Sequence, residues 1–283
     1  MKIFYKLMLV ISLIIALLGF GVFAAYNIFP SQFTIRYENL TAEAIPAQME
    51  DIKILFFSDL EYGTFMNSSR LLRLVDAINA SAPDIVIFGG DLYDESAYVT
   101  TETTAVISDA FRKIDAPLGK FAVYGDNDHE SDHTLSMVRQ ALVNADFEVL
   151  NNTSVSIHNR SSKGIFLVGL DSEYKGSIDM ESAYEAVSGD AYVITVCHTP
   201  DTADRVPADL TDYFLAGHSH GGQAWFGFQV FYSPPFARKY LRGKHIINDA
   251  FTLDITSGTG TTGEDVRFFT NAEAVVYRLH NAR

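Results

Sequence analysis

The sequence predicts an α/β protein in which helices flank a two-layered β core and one apolar helix precedes the domain. Three observations lead to this fold class. In the first half of the chain, short apolar runs alternate with amphipathic helical patterns, whereas strand patterns dominate the second half. Residues 7–29 carry no charged side chain. Because we find no internal repeat or low-complexity tract, we expect residues 51–283 to form one domain.

The N-terminal segment, residues 1–29, contains two charged side chains, Lys2 and Lys6. The uncharged run after them reaches the roughly 20 residues that a helix needs to cross a membrane. Signal peptides have shorter apolar regions of about 7 to 15 residues, so we favour an uncleaved anchor. The alternative is a cleavable signal peptide, since residues 22–24 loosely fit a cleavage site. The lysines precede the span, which predicts a single-pass cell-membrane protein with its domain on the extracytoplasmic side.

The elements of the domain follow this helix in order. Residues 30–50 combine a linker with an edge strand, in which Phe33, Ile35 and Tyr37 alternate with polar neighbours. In the first half we expect strands at 52–58, 84–88 and 120–124, and helices at 67–78, 97–114 and 135–145. In the second half we expect one helix at 180–187 and strands at 154–158, 164–169, 192–198, 213–216, 225–232, 251–256 and 274–279.

Composition restricts the function. The 283 residues include 35 acidic and 21 basic side chains, a formal charge of -14 at pH 7. An acidic surface repels phosphate backbones, so we expect no nucleic-acid partner. The single cysteine, Cys197, can form neither an intramolecular disulfide nor a thiolate zinc cluster. A metal site in this chain must therefore use histidines and carboxylates.

Such residues stand directly after five of the predicted strands. They are Asp59 and Glu61, Asp91, the run 126–130, His198, and the glycine-flanked pair His218 and His220. Each turn alone has a conformational explanation, because Gly, Asn and Asp favour turns. Strand ends of an α/β sheet converge on one crevice, however, and carboxylates with imidazoles suit Mn, Fe, Zn or Mg. Taken together, these turns predict a metal site.

These motifs resemble those of the calcineurin-like metallophosphoesterases, in particular a membrane-anchored branch with a Gly-His-x-His-Gly-Gly-Gln turn. The resemblance spans residues 52–279 and includes 198–201, 217–223 and 258–263. It implies a four-layer α/β/β/α sandwich that holds two divalent metal ions, of which Mn is the expected one and Fe, Mg or Zn are alternatives. It also implies cleavage of a phosphoester or diphosphate bond by a hydroxide that bridges the two metals.

The resemblance also assigns the metal ligands. The first metal would bind Asp59, Glu61 and His220, the second would bind Asp126, His198 and His218, and Asp91 would bridge them. Glu61 stands where the family has a histidine. The added oxygen donor shifts the preference toward Mn or Mg and away from zinc.

The third family motif, Gly-Asn-His, is altered in this chain. Read without a gap, Asp126 replaces the metal-binding Asn and Asn127 replaces the catalytic His. A one-residue shift would instead make Asn127 the ligand and place Asp128 at the catalytic position. We favour the ungapped alignment because it keeps the spacing from the strand end. The expected catalytic histidine is then His129, or alternatively His133, reaching the site from the start of the next helix.

The expected substrate is a phosphorylated small molecule or a lipid-linked diphosphate. Six aromatic residues between 225 and 236 could form an apolar wall for an acyl chain, or could pack in the core. The alternative to an enzyme is a degenerate family member that still binds metal and acts as a scaffold or binding protein.

Overall fold

The structure is a computed structural model and describes residues 2–226 and 229–283. Its helices are α1 (Lys2–Asn27), α2 (Ser68–Ala80), α3 (Thr101–Phe111), α4 (Asp132–Asn144) and α5 (Met180–Tyr184). The first seven strands are β1 (Phe33–Ala42), β2 (Lys53–Phe57), β3 (Ile85–Phe88), β4 (Lys120–Ala122), β5 (Phe147–Val149), β6 (Thr153–His158) and β7 (Gly164–Gly169). The others are β8 (Val193–Val196), β9 (Tyr213–Ala216), β10 (Trp225–Phe226), β11 (Gln229–Val230), β12 (Gly243–Ile247), β13 (Phe251–Ile255) and β14 (Ala272–Asn281).

Two six-stranded sheets form the centre of the domain. The first has the order β1-β14-β2-β3-β4-β5, in which β2 to β5 are parallel and β14 is antiparallel to β2. The second has the order β12-β13-β9-β8-β7-β6, in which β13, β9, β8 and β7 are parallel. The edge strand expected within residues 30–50 is β1, which pairs with β14 from Phe33↔Ala272 to Ala42↔Asn281.

Side chains alternate along the strands and so separate two of the packing layers. Leu55 and Phe57 of β2 pack against the buried faces of α2, α3 and α4. Ile54 and Phe56 point the other way and pack against the second sheet. The outer face of the second sheet packs against α5 and the short 3-10 helix Pro200–Asp204. The result is the four-layer α/β/β/α sandwich that the family resemblance implies.

Helix boundaries follow their capping residues. The side chain of Asn67 accepts hydrogen bonds from the backbone amides of Ser69 and Arg70, which starts α2 where the sequence places it. α3 begins later than expected because Thr100 and Thr103 form a capping box at its N-terminus. The predicted start at residue 97 was therefore wrong.

The predicted strand at 225–232 is a further correction. The chain forms two short antiparallel strands, with Trp225 opposite Val230 and Phe226 opposite Gln229. The turn between them, residues 227–228, lies outside the described residues. Two real strands, β5 and β12, were not predicted. β12 is largely exposed and contains Lys244 and His245, so it lacks the apolar alternation that identifies a half-buried strand.

α1 lies outside the four layers. Its side chains are exposed along nearly the whole helix, and its buried residues are Ala24 and Ala25 in the last turn. By length and composition, this helix could cross a membrane. A helix that is apolar all round belongs in a bilayer or a protein core, and here no core surrounds it within the part of the chain that is described.

Candidate metal centre

Parallel strands of both sheets end at one edge of the sandwich, and the predicted site residues follow those ends. β2 leads to Asp59 and Glu61, β3 to Asp91, β4 to Asp126, β8 to His198, and β9 to His218 and His220. All seven residues are at most 5% exposed. The fold therefore brings together, at one buried place, residues that are up to 161 positions apart in the sequence.

The seven residues form two adjoining clusters. One contains Asp91, Asp126, His198 and His218, and the other contains Asp59, Glu61 and His220. Within each cluster the ligand atoms lie within 4.8 Å of one another. The clusters meet where Nε2 of His198 is 3.8 Å from Oδ1 of Asp59. This grouping matches the division between two metals that the family resemblance implies.

Five of the seven residues adopt the left-handed backbone conformation. The φ angles are 52° for Asp59, 54° for Glu61, 58° for Asp91, 66° for His218 and 49° for His220. This conformation costs non-glycine residues on the order of 1–3 kcal/mol each and concentrates at functional sites. These turns therefore accept a backbone cost, and in return their side chains converge on one point.

Two glycines allow these turns to touch. A Cβ atom on Gly125 would lie 2.1 Å from Oδ1 of Asp91, and one on Gly217 would lie 2.1 Å from Oγ of Ser58. Neither position has room for a larger residue. Close contact of the turns after β3 and β4 thus depends on Gly125.

Hydrogen bonds to backbone carbonyls fix the orientation of two imidazoles. Nδ1 of His198 lies 2.7 Å from the carbonyl oxygen of Gly89, and Nε2 of His218 lies 2.7 Å from that of Pro235. Because a carbonyl oxygen only accepts, the ring nitrogen in each contact carries the proton. The opposite nitrogen of each ring then presents a lone pair to the cluster, as in metal-binding histidines.

Those lone pairs face a carboxylate oxygen. Oδ1 of Asp126 lies 2.8 Å from Nδ1 of His218 and 3.2 Å from Nε2 of His198. Oδ1 of Asp126 and Nε2 of His198 are buried and have no hydrogen-bond partner among the described residues. Acceptors that face one another in a buried site need a proton or a metal ion between them. The residues of this cluster therefore fit a metal ion.

The electrostatics of the site support the same conclusion. The site contains four carboxylates. Among the described residues, they form ion pairs with histidines and none with Lys or Arg. Burial, reinforced by the charges of Asp91 and Asp59, raises the pKa of Glu61 well above its ordinary value. Burial and the charge of Asp126 raise the pKa of Asp91 to about 7. Divalent cations would neutralise this concentrated negative charge.

The histidines respond to opposing influences. Burial lowers the pKa of His198, but the carboxylates of Asp91 and Asp126 outweigh burial and hold that pKa well above its ordinary value. A proton and a metal ion therefore compete for Nε2 of His198. Burial lowers the pKa of His220 to about 4, so this imidazole is neutral and available as a ligand. Its Nε2 lies 3.4 Å from Oε1 of Glu61.

The altered third motif takes a definite arrangement. Asp126 lies in the cluster, and the side-chain amide of Asn127 donates weakly to Glu61, at 3.3 and 3.4 Å. Asp128 instead accepts hydrogen bonds from the backbone amides of Asp91, Leu92 and Gly125. Its carboxylate thus joins the turns after β3 and β4. The third motif therefore contributes Asp126 to the candidate ligands.

His129 and His133 lie outside both clusters. Nε2 of His129 is 2.6 Å from Oδ1 of Asp171, and the His129 ring packs edge-on against Tyr124. His133 is exposed, with Nε2 3.3 Å from the carbonyl oxygen of Val99. The structure does not bring either histidine into the group of ligands. The expectation that one of them replaces the missing catalytic histidine gains no support from this geometry.

Two further residues, Tyr232 and Arg267, lie beside the ligand clusters. The ring of Tyr232 lies edge-on to His220 with centroids 5.4 Å apart, and burial with the charge of Glu61 raises the pKa of its hydroxyl. The fully buried guanidinium of Arg267 donates to the carbonyl oxygens of His220 at 3.3 Å and Gly260 at 2.5 Å. In the sequence, Arg267 is a cation between the apolar residues Val266 and Phe268.

Comparison with known proteins identifies the family. The sequence profile of the calcineurin-like phosphoesterases matches residues 52–222, a range that contains all seven residues of the two clusters. The chain belongs to the calcineurin-like phosphoesterase family. A fold of this family implies divalent metal ions, and the two clusters supply plausible ligands for them.

Three relatives illustrate the breadth of this calcineurin-like phosphoesterase family. The chain is 26% identical over 262 residues to the metallophosphoesterase YkuE of Bacillus subtilis, covering 92% of this chain and 90% of that protein. It is 28% identical over 268 residues to a metallophosphoesterase of Aquifex aeolicus, covering 90% and 95% of the two chains. It is 25% identical over 243 residues to a Bos taurus protein named transmembrane protein with metallophosphoesterase domain, covering 81% of this chain and 53% of that protein.

Proposed function

We propose that this protein is a membrane-anchored, dimetal-dependent phosphohydrolase that cleaves a phosphoester or diphosphate bond. The observation that carries the proposal is the pair of adjoining buried clusters, whose carboxylate oxygens and imidazole lone pairs face common points. When bound, two divalent ions would lower the pKa of water and neutralise charge on a phosphoryl group. Manganese is the metal we favour, because four carboxylates supply most of the donors.

The chain's own residues determine how the site can act. Asp59, Glu61 and His220 would hold one ion, and Asp126, His198 and His218 the other, with Asp91 between them. Asn127 stands where the family has a histidine, and its amide can donate a hydrogen bond but cannot release a proton. Loss of a general acid typically costs about 10²- to 10⁴-fold. We therefore expect slow but real hydrolysis of esters with good leaving groups.

The anchor is α1, which we propose crosses the cell membrane with Lys2 and Lys6 on the cytoplasmic side and the domain outside. Ala24 ends the segment that a signal peptidase would recognise, Ala25 follows it, and both are buried in the folded domain. The last turn of α1 is thus part of the tertiary structure, which favours an anchor over a discarded leader. For a domain outside the membrane, a phosphorylated small molecule or a lipid-linked diphosphate is the substrate class that we propose.

Turnover tests this proposal. The full-length protein in detergent is incubated with a bis-aryl phosphodiester, with and without Mn²⁺, beside an Asp91→Ala variant as control. We expect Mn²⁺-dependent hydrolysis that the variant lacks. If the wild-type rate with Mn²⁺ equals that of Asp91→Ala, the proposal is wrong.

A second candidate function is a metal-binding scaffold. The specific observation that favours it is Asn127, which removes the family's proton donor from the site. A scaffold would bind metal with the same ligands and would depend on His218 only for that binding. Metal-loaded protein that hydrolyses neither activated diesters nor lipid-linked diphosphates would favour this candidate.

A further inference from the structure

The last turn of α1 is attached to the domain beside the metal centre. Ala25 packs in a small apolar cluster with Ala224 and Val266. Its carbonyl oxygen accepts a hydrogen bond from the backbone amide of Arg267 at 3.0 Å. The ring of Phe29, just past the helix, lies 6.4 Å from that of Phe268. α1 therefore leaves the domain from a fixed position.

Arg267 connects that position to the metal centre. Its backbone amide binds Ala25, while its guanidinium donates to the carbonyl oxygen of His220 at 3.3 Å. His220 is one of the proposed metal ligands. Arg267 thus donates hydrogen bonds both to the end of α1 and to the turn that contains His220. The distance between the anchor and the metal centre is therefore short and fixed.

Aromatic side chains lie near the same position: Trp225 is half-buried, whereas Phe231 and Phe269 are exposed. Trp225 begins the first strand of the β10–β11 hairpin, and Phe231 follows the second strand. The backbone amide of Phe231 donates to the carbonyl oxygen of Ala224 at 2.8 Å. Phe231 is 43% exposed and Phe269 is 76% exposed. The guanidinium of Arg242 stacks 3.8 Å from the centre of the Trp225 ring and donates to the carbonyl oxygen of Phe269 at 3.4 Å. We refer to Trp225, Phe231, Arg242 and Phe269 as the aromatic rim.

We propose that the aromatic rim rests in the headgroup layer of the bilayer that α1 crosses. This inference rests on the membrane-spanning role proposed above for α1. Tryptophan is enriched at membrane–water interfaces, and arginine can lay its aliphatic stem along apolar surface while its charge stays in water. Interfacial apolar faces lie about 5–10 Å into the boundary between headgroups and acyl chains.

We assign lipid as the partner because α1, when it crosses the membrane, ends beside the aromatic rim. The helix is apolar all round and exposed until the turn that contains Ala24 and Ala25, so the bilayer surface must lie close to that turn. The chain is too acidic for general electrostatic attraction to anionic lipids, with a formal charge of -14. Contact must therefore come from local apolar groups, which the rim supplies. The metal ligands would then work at the level of the lipid headgroups.

The chain offers a direct probe, since Trp225 is its single tryptophan. Full-length protein is reconstituted into phosphatidylcholine vesicles, either plain or brominated on the acyl chain near the headgroup. We expect the brominated lipid to quench Trp225 fluorescence, and the vesicles to protect Trp225 from aqueous iodide compared with protein in detergent. Unchanged emission with brominated lipid and full access of iodide would overturn the proposal.

Because Arg242 covers one face of the Trp225 ring, it could shield Trp225 from the quencher, and a second probe controls for this. In the double variant Trp225→Phe, Phe269→Trp, the probe moves to the most exposed member of the rim, and we expect stronger quenching by the brominated lipid. The matched control is Trp225→Phe, Val143→Trp, which places the probe at an exposed position on α4. This control should remain accessible to iodide and unaffected by bromine.

These outcomes are independent of catalysis, because fluorescence requires neither metal nor turnover. Protein that resists alkaline extraction from the vesicles but shows no quenching at residue 225 or 269 contradicts the proposal and leaves the phosphohydrolase intact. Protein that alkali releases contradicts it too, since the rim requires an inserted α1. Conversely, quenching without Mn²⁺-dependent turnover would uphold the membrane surface and reject the enzyme.

Discussion

Oδ1 of Asp126 lies 2.8 Å from Nδ1 of His218, with the opposite nitrogen of that imidazole held by a backbone carbonyl. This contact joins the turn after β4 to the turn after β9, and so joins the two sheets at the metal centre. In the ungapped alignment that we favour, the family has an asparagine at the position of Asp126. Aspartate keeps an oxygen donor there and adds a negative charge, which strengthens attraction for a divalent cation.

Removal of the His218 imidazole should abolish metal binding in its cluster. His218→Ala deletes a ligand, so the loss of metal affinity should exceed the roughly 10- to 100-fold that loss of an outer hydrogen-bond partner costs. Turnover of an aryl phosphodiester should disappear with the metal. His133→Ala is the control, because His133 is exposed and outside both clusters. Equal metal content in the two variants would show that His218 is not a ligand.

Gly125→Ala should destabilise the site and the fold. The new Cβ atom would lie 2.1 Å from Oδ1 and 2.4 Å from the backbone nitrogen of Asp91, so the turns after β3 and β4 must separate. Overpacking of this kind costs about 1–3 kcal/mol. Urea denaturation measures the loss. Gly189→Ala is the matched control, since no atom lies within 4 Å of its added Cβ. Equal stabilities for the two variants would refute the close approach.

Asn127→His should restore a proton donor at the family's catalytic position. We expect the gain in kcat to be larger for an alkyl phosphodiester than for an aryl one, because only the poor leaving group needs the proton. The upper limit is the roughly 10²- to 10⁴-fold that general acid catalysis contributes. Steady-state kinetics with both substrates test this. The same change in kcat for both would argue against a leaving-group role for this position.

His129 should contribute pH-dependent stability through Asp171. Burial lowers the pKa of His129, but the hydrogen bond and charge of Asp171 outweigh burial, so its pKa in the folded protein is above the ordinary value. A raised histidine pKa stabilises the fold fully below the unfolded pKa of about 6.5, and the contribution disappears as pH rises through the folded pKa. His129→Gln should therefore lower Tm more at about pH 6 than at about pH 9. His133→Gln, at an exposed position outside both clusters, is the matched control. If His129→Gln instead lost turnover at unchanged Tm, His129 would be catalytic after all.

The candidate ligands could be picked out from the sequence because their signal is local. Asp59, Asp91 and Asp126 each follow a short buried strand within a few residues, and parallel strand ends must meet at one edge. Likewise, Leu71, Leu74, Val75 and Ile78 are buried on α2 as their three- and four-residue spacing predicts.

The features that the sequence did not predict depend on contacts between distant residues, which no local pattern encodes. His129 was expected to reach the metal centre, but it meets Asp171, 42 residues further on, after β7. The bond between Ala25 and Arg267 joins the two ends of the chain. The hairpin at Trp225 and Val230 was read as one strand because apolar content alone does not show where a chain reverses.

The central claim, that the two clusters hold two divalent ions, is tested most directly by metal stoichiometry. Full-length protein is purified in detergent, equilibrated with Mn²⁺, freed of unbound ions and analysed by mass spectrometry for metal per chain, beside Asp91→Ala as control. We predict two ions per wild-type chain and fewer in the variant. Folded wild-type protein that retains no metal, or no more than Asp91→Ala retains, would contradict the account.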